Sequence, residues 1–329
     1  MNVMVVGGAG YIGSHAAKQL IEKGHEVVVV DNLYRGHRKA VHPDATFYEL
    51  NIAQRERMTE ILKEHAIECV MHFSALTYVG ESVDNPLSYY ENNTSGTIAL
   101  LQAMQTAGVK RFVFSSTCAT YGEPDDVPIT ETMSQSPVSP YGWSKRFVEQ
   151  ILLDQVQADP EFAFCAPRYF NVAGAAADGS LGEDHEPETH LIPVILQTLL
   201  GQREKVVIFG TDYPTPDGTC VRDYVHVDDL VAAHIAAMEA LEPGDARFYN
   251  LGIGKGYSVR EILDAVERVT GMKIPIEFGE RRPGDATTLF ANPNKAATEL
   301  NWTAKLGIDE IVATAWNWHK NHPNGYEDE

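Results

Sequence analysis

"VMVVGGAGYIGSHAAKQL", residues 3–20, places a cluster of glycines between a short apolar run and a segment of helical character. Gly7, Gly10 and Gly13 follow G-x-x-G-x-x-G, and Gly8, Gly10 and Gly13 also satisfy G-x-G-x-x-G. Glycine suits such a turn because the backbone must approach a pyrophosphate closely and adopt conformations that a side chain blocks. A helix starting near Tyr11 offers that anion free N–H groups and a positive dipole. The glycine pattern alone has many accidental matches. Here a strand precedes it, a helix follows it, and Asp31 ends the next apolar run, "EVVVVD" (26–31), which is the context a dinucleotide site requires. Asp31 would accept hydrogen bonds from the adenosine ribose and repel a 2′-phosphate, favouring NAD over NADP, although Arg35 and Arg38 nearby soften that preference.

Outward from this unit, short apolar runs recur at 69–74 (CVMHFS), 111–116 (RFVFSS) and 162–170 (FAFCAPRYF). Segments of helical period lie between them, at 14–23, 54–65, 93–107 and 141–157. Strands rich in Val, Ile and Phe that alternate with helices predict an α/β chain with a doubly wound parallel (Rossmann) sheet. The rhythm breaks near residue 170: 171–193 reads as a loop and 209–224 as a turn-rich stretch. The expected division is a dinucleotide-binding domain at 1–170 plus about 226–254, and a smaller C-terminal α/β substrate domain at about 171–225 and 255–329.

The 329 residues carry 26 Lys and Arg against 46 Asp and Glu, a formal charge of −20. Nucleic acid and anionic membranes are therefore poor partners, and an anionic ligand would need a locally basic pocket. No run of eighteen apolar residues and no cleavable leader occurs, which points to the cytoplasm. Cys69, Cys118, Cys165 and Cys220 show no C-x-x-C spacing, so neither disulfides nor a metal site is expected.

"SPYGWSKRFVEQIL" (139–152) carries the chemistry. Ser139 suits an N-cap and Pro140 the first helical position. Tyr141 and Lys145 then project from one face, one turn apart. A free phenol has a pKa near 10, too high for a base at neutral pH. A neighbouring ammonium and an oxidised nicotinamide would lower it, letting Tyr141 take a hydroxyl proton as hydride leaves the same carbon. Tyr-x-x-x-Lys alone is weak, but "RFVFSSTCATYG" (111–122) ends a strand in hydroxyls, where such sheets hold their ligands.

The glycine turn, Asp31 and the Thr117/Tyr141/Lys145 set together resemble the extended short-chain dehydrogenase/reductase family. "YYENNTSGT" (89–97), "RYFNVAGA" (168–175), "IFGTDYPTPDGTCVRDYVHVDDL" (208–230), "RRPGD" (281–285) and "LNW" (300–302) narrow the resemblance to its UDP-sugar 4-epimerases, over essentially the whole chain. The resemblance implies reversible 4-epimerisation of UDP-galactose to UDP-glucose through a 4-keto sugar, with tightly held NAD, in a homodimer packed through the helices near 93–107 and 141–157.

Residue roles follow from the same resemblance. Tyr141 is the acid/base, Lys145 its tuner and ribose contact, and Thr117 the hydroxyl partner. Gly7, Gly10, Tyr11, Ile12, Gly13, Asp31, Asn32 and Leu33 would hold the adenosine diphosphate part of NAD. Asn51, Ile52, Phe73, Ser74, Ala75, Thr77, Asn92, Tyr169 and Phe170 would complete the cofactor site. Asn171, His190, Leu191, Val207, Phe209, Arg222, Arg282 and Asp285 would hold UDP, with Leu289 at a position that gates sugar size. Three residues depart from the pattern: Asn51 stands for an aspartate, Thr77 for a lysine near the phosphates, and His190 for an asparagine.

Other readings are weaker or remain open. A 4,6-dehydratase places Asp-Glu after the threonine, where this chain has Cys118 and Ala119. A UDP-glucuronate epimerase would face repulsion from Asp178, Glu183, Asp184, Glu186 and Glu188 if that loop meets the sugar. UDP-xylose/UDP-arabinose interconversion stays open. A dinucleotide sensor would not need the hydroxyl–tyrosine–lysine set, and an ordinary reductase would release its cofactor.

Overall fold

The computed structural model describes residues 1–281 and 286–327. Fourteen strands are labelled in chain order. β1 (Asn2–Val6), β2 (Glu26–Asp31), β3 (Thr46–Glu49), β4 (Cys69–His72), β5 (Arg111–Phe114) and β6 (Ala163–Tyr169) come first. β7 (Asn171–Ala173), β8 (Val206–Phe209), β9 (Val221–Arg222) and β10 (Tyr224–His226) follow. The last are β11 (Ala246–Leu251), β12 (Tyr257–Ser258), β13 (Ile276–Gly279) and β14 (Thr288–Leu289). Seven of them form one sheet in the order β11-β6-β5-β4-β1-β2-β3, every pairing parallel.

The strands are buried on both faces, which explains their continuous apolar runs. Val3 and Val5 point into one core with Ala16 and Leu20 of the helix Tyr11–Glu22 and Leu230 of the helix Val227–Glu239. Met4 and Val6 point into the other, against Met58, Leu100, Leu152 and Phe164. That is the doubly wound architecture expected. The helix Val227–Glu239 and β11 return to the sheet edge beside β6, as the sequence suggests. β3 is the element the apolar runs missed, because "TFYE" is a half-exposed edge strand with no buried run. The expected helix at 93–107 is Gly96–Ala107, entered through a π-helical turn at Tyr90–Ser95.

The remaining strands build a smaller layer over the carboxyl ends of the sheet. β10 pairs with β7, β8 with β13, and β9 with both β12 and β14. A third core fills it, with Ile192, Ile195, Val206, Ile262, Val266, Ile311 and Val312. Its helices include Leu191–Leu199, Val259–Thr270 and Ile308–Asn321. Ser258 and Glu261 form a capping box at the start of the second.

One buried polar network fixes the helix Pro140–Ala158 to the sheet. Glu149 on that helix and Arg168 on β6 are fully paired: Nε and Nη2 of Arg168 each donate to a different oxygen of Glu149, both at 2.8 Å. Ser116 and Gln135 donate to the same carboxylate at 2.7 Å, and Arg168 Nη1 donates to the Tyr121 hydroxyl at 2.8 Å. Removing one member of such a pair strands a buried charge, which costs about 3–5 kcal/mol. Arg168→Leu should therefore lower the urea unfolding free energy by that order, with Glu149→Met added to it recovering part of the loss. A single-variant loss below about 1 kcal/mol would show that the pair does not anchor the helix.

Candidate active site

The glycine turn closes on itself at the carboxyl end of β1. Gly7 has φ +80°, and a Cβ there would lie 2.5 Å from the backbone N of Ser74; a Cβ on Gly13 would lie 2.1 Å from the Gly7 carbonyl oxygen. No alanine fits at either position, so the backbone itself forms the floor of the turn. The helix Tyr11–Glu22 has Gly10 as N-cap with no side-chain cap, which leaves its first N–H groups without side-chain partners.

Asp31 closes the adjoining side. Its Oδ2 accepts from the Ala9 N–H at 3.0 Å and its Oδ1 from the Leu33 N–H at 2.9 Å. Burial pushes its pKa up, against those backbone donors. Leu33 adopts a left-handed φ of 55° to make this contact. The two arginines that would favour a 2′-phosphate have other partners, although Arg35 lines the cleft described next. Arg35 pairs with Glu81 at 3.2 Å, and Arg38 lies 4.0 Å from the centre of the Phe47 ring.

A cleft of about 480 Å³ runs from this turn across the ends of β4 and β5 to the smaller layer. It brings together Gly7, Gly10, Tyr11, Ile12, Gly13, Asp31 and Asn32 with Phe73, Ser74, Ala75, Thr77 and Asn92. Thr117, Tyr141, Tyr169, Phe170, Asn171, His190, Arg222 and Leu289 line its other half. Arg222 and Leu289 are neighbours in register on β9 and β14.

Several expected residues lie elsewhere. Ile52 is buried against Gly96. The Asn51 amide oxygen accepts from the Ala53 N–H at 2.9 Å, so a local turn already uses it. Leu33 lies behind Asp31, while Leu191 packs on the third core. Val207 and Phe209 sit on β8 where it pairs with β13, with Gly279 between their side chains. Arg282 and Asp285 fall outside the described residues.

The catalytic set depends on the first two turns of the helix Pro140–Ala158. The Ser139 hydroxyl caps the Gly142 N–H at 3.2 Å and Pro140 opens the helix. Tyr141 faces the cleft beside Thr117, whose hydroxyl accepts from the Ala119 N–H at 3.1 Å and favours the phenolate. Lys145, one turn deeper, is 3% exposed and does not line the cleft. Its Nζ donates to the Ser115 carbonyl at 2.9 Å and lies 4.8 Å from the centre of the Phe114 ring.

These environments shift the two groups in opposite directions. Burial raises the Tyr141 pKa well above 10 and Tyr169 adds to the rise, while Thr117 works against it. Burial also lowers Lys145 to about 7, against the field of Glu149. The protein alone therefore keeps the phenol protonated: the ammonium is turned toward a backbone carbonyl under the helix, and desolvation outweighs the neighbouring charge.

The structure also assembles residues that were not singled out as site residues. Glu183 and His185 line the cleft beside His190, and Glu188 lies behind them. Burial opposes a charge on His185, but Glu183 and Glu188 raise its pKa to about 9; the same two carboxylates raise His190. The spacing E-x-H-x-x-E-x-H within "EDHEPETH" (183–190) was the available signal. Read only as acidic, that loop hid His185, while His190 was expected at the UDP site.

With the site in view, the comparisons are specific. A protein from Streptococcus mutans serotype c named UDP-glucose 4-epimerase is 52% identical, over all of this chain and 99% of its own. One of the same name from Lactobacillus helveticus is 51% identical over the full length of both. The crystal structure of UDP-glucose 4-epimerase from Bifidobacterium longum in complex with NAD+ and UDP superposes with a TM-score of 0.94 at 40% identity, covering 99% of this chain and 100% of that one. Residues 3–252, which carry the glycine turn, Asp31 and the Thr117/Tyr141/Lys145 set, match the NAD dependent epimerase/dehydratase family, and the chain belongs to that family.

Proposed function

We propose that the protein interconverts UDP-galactose and UDP-glucose by reversible 4-epimerisation, using NAD held in the cleft. The observation that carries this reading is that Tyr141 and Thr117 line one cleft with the glycine turn and Asp31, which suit NAD. Full-length similarity to two proteins named UDP-glucose 4-epimerase selects the reaction within the family.

When bound, the oxidised dinucleotide supplies a hydride acceptor at C4 of the sugar and then a donor to the opposite face. Tyr141 takes the proton of the 4-hydroxyl and later returns it, so the protein contributes general acid/base catalysis worth about 10²–10⁴ in rate. Thr117 orients that hydroxyl and steadies the phenolate. Lys145, whose Nζ donates to the Ser115 carbonyl, sits one turn below the phenol as its tuner, and a ribose contact would require that ammonium to turn into the cleft. Arg222 meets the diphosphate across a chain whose charge of −20 otherwise repels it. We assign residues 1–170 and about 226–254 to the cofactor and the remainder to UDP-sugar.

Four free cysteines, two of them buried, suit the cytoplasm, and no described helix is long and apolar enough to cross a membrane. A homodimer accounts for the exposed aromatic patch of Trp143 and Phe147 on the helix Pro140–Ala158 beside Tyr90. Phe147→Asp should shift the sedimenting mass from two chains to one at micromolar concentration; a wild-type monomer would end that part of the proposal.

The reaction is tested by incubating purified protein with UDP-galactose, without added cofactor, and separating the sugars. UDP-glucose should appear with no accumulation of NADH, and Tyr141→Phe should lose at least about 10²-fold in turnover while still binding NAD and UDP. Stoichiometric NADH, or a Tyr141→Phe variant of near wild-type rate, would overturn the assignment.

A further inference from the structure

The loop joining β7 to the helix Leu191–Leu199 gathers four ligand-bearing side chains. One ligand atom from each of Glu183, His185, Glu188 and His190 lies within 4.8 Å of every other. His190 Nδ1 is 2.9 Å from Glu183 Oε1 and 2.9 Å from Glu188 Oε1. His185 Nδ1 is 3.3 Å from Glu183 Oε1 and 3.6 Å from Glu188 Oε2. With metal–ligand bonds near 2.1 Å, the edge of a tetrahedron is about 3.4 Å. The histidine–glutamate distances of 2.9–3.6 Å lie near that edge and the whole set stays within 4.8 Å, so a small closure would give a tetrahedral site.

A second observation points the same way. Nδ1 of His185 is buried yet makes no hydrogen bond, although a carboxylate oxygen lies 3.3 Å away. The oxygen is close but off the direction a proton would take, so the two carboxylates hold the ring by charge and not by an aligned hydrogen bond. Glu183 and His185 also form the partition between the main cleft and a neighbouring cavity of about 240 Å³, which His319 and His322 help to line. An ion has a polar route to the quartet from that side.

We propose that Glu183, His185, Glu188 and His190 form a structural binding site for one divalent transition-metal ion of the zinc class. Imidazole nitrogen with carboxylate oxygen selects Zn²⁺ and its neighbours, whereas Ca²⁺ and Mg²⁺ take oxygen ligands throughout. Two carboxylates balance a divalent cation with both imidazoles neutral, and two imidazolium protons balance them without it, so occupancy leaves no net charge in the buried loop. Four protein ligands leave no open position, which is the arrangement of a structural rather than a catalytic ion. The ion would pin the wall of the cleft that carries His190 to the start of the helix Leu191–Leu199.

The test is equilibrium dialysis of chelator-treated full-length protein against micromolar ZnCl₂, with elemental analysis of the bound ion. Wild type should retain about one equivalent and gain melting temperature as the ion binds. His185→Gln and Glu183→Gln should retain none above background, while His322→Gln, in the neighbouring cavity, should keep the full equivalent. Co²⁺ added to wild type should give the visible absorption of four-coordinate cobalt, which decides the matter even if a variant fails to fold. Absence of stoichiometric zinc and of that absorption in wild type would overturn the proposal, as would an undiminished equivalent in folded His185→Gln.

Discussion

Tyr141, Lys145 and Glu149 stand one turn apart on the face of a single helix that meets the sheet, and each must be buried without losing its chemistry. Each has a different solution. Glu149 is paired with Arg168, Lys145 donates to the Ser115 carbonyl, and Tyr141 stays neutral beside Thr117. Desolvation penalises the charged form of an acid or a base, so it moves the phenol up and the ammonium down together. Burial thus favours the neutral form of both the phenol and the amine at rest. The sheet determines where this happens: Ser115, Ser116 and Thr117 follow β5 directly, so one strand end supplies partners to all three helical residues.

The same constraint explains what the dinucleotide brings beyond hydride transfer. A phenol held above its ordinary pKa is a poor base until positive charge is added at the cleft wall. The cofactor's oxidised ring carries that charge, and its reduced ring does not. Proton removal and hydride removal would then be coupled through electrostatics, so the tyrosine is a base when the sugar carries the hydride and an acid when the cofactor does.

Much of this was legible from local pattern. Buried parallel strands announce themselves as apolar runs, and the turn at Gly7–Gly13 is dictated by backbone approaches of 2.1–2.5 Å that no side chain survives. Ser139, Pro140 and the four-residue step from Tyr141 to Lys145 are likewise local. What stayed hidden depends on distant partners. Nothing around Lys145 says that its ammonium turns to Ser115, thirty residues away, and nothing around Glu149 announces Arg168. β3 was missed because an edge strand needs no apolar run, and the Asx turn at Asn51 leaves no composition signal either. The quartet at 183–190 was legible in spacing, but His185 was masked by the acids around it.

The most direct test of the electrostatic account is the pH titration of tyrosinate absorption, read as wild type minus Tyr141→Phe, with and without NAD+. Without NAD+ the Tyr141 phenol should remain protonated beyond pH 10, because burial raises its pKa. With saturating NAD+ its titration should move to lower pH, toward neutrality. The same midpoint in both states, or a phenolate near pH 7 before any NAD+ is added, would contradict the claim that burial sets the resting state and the cofactor's charge releases it.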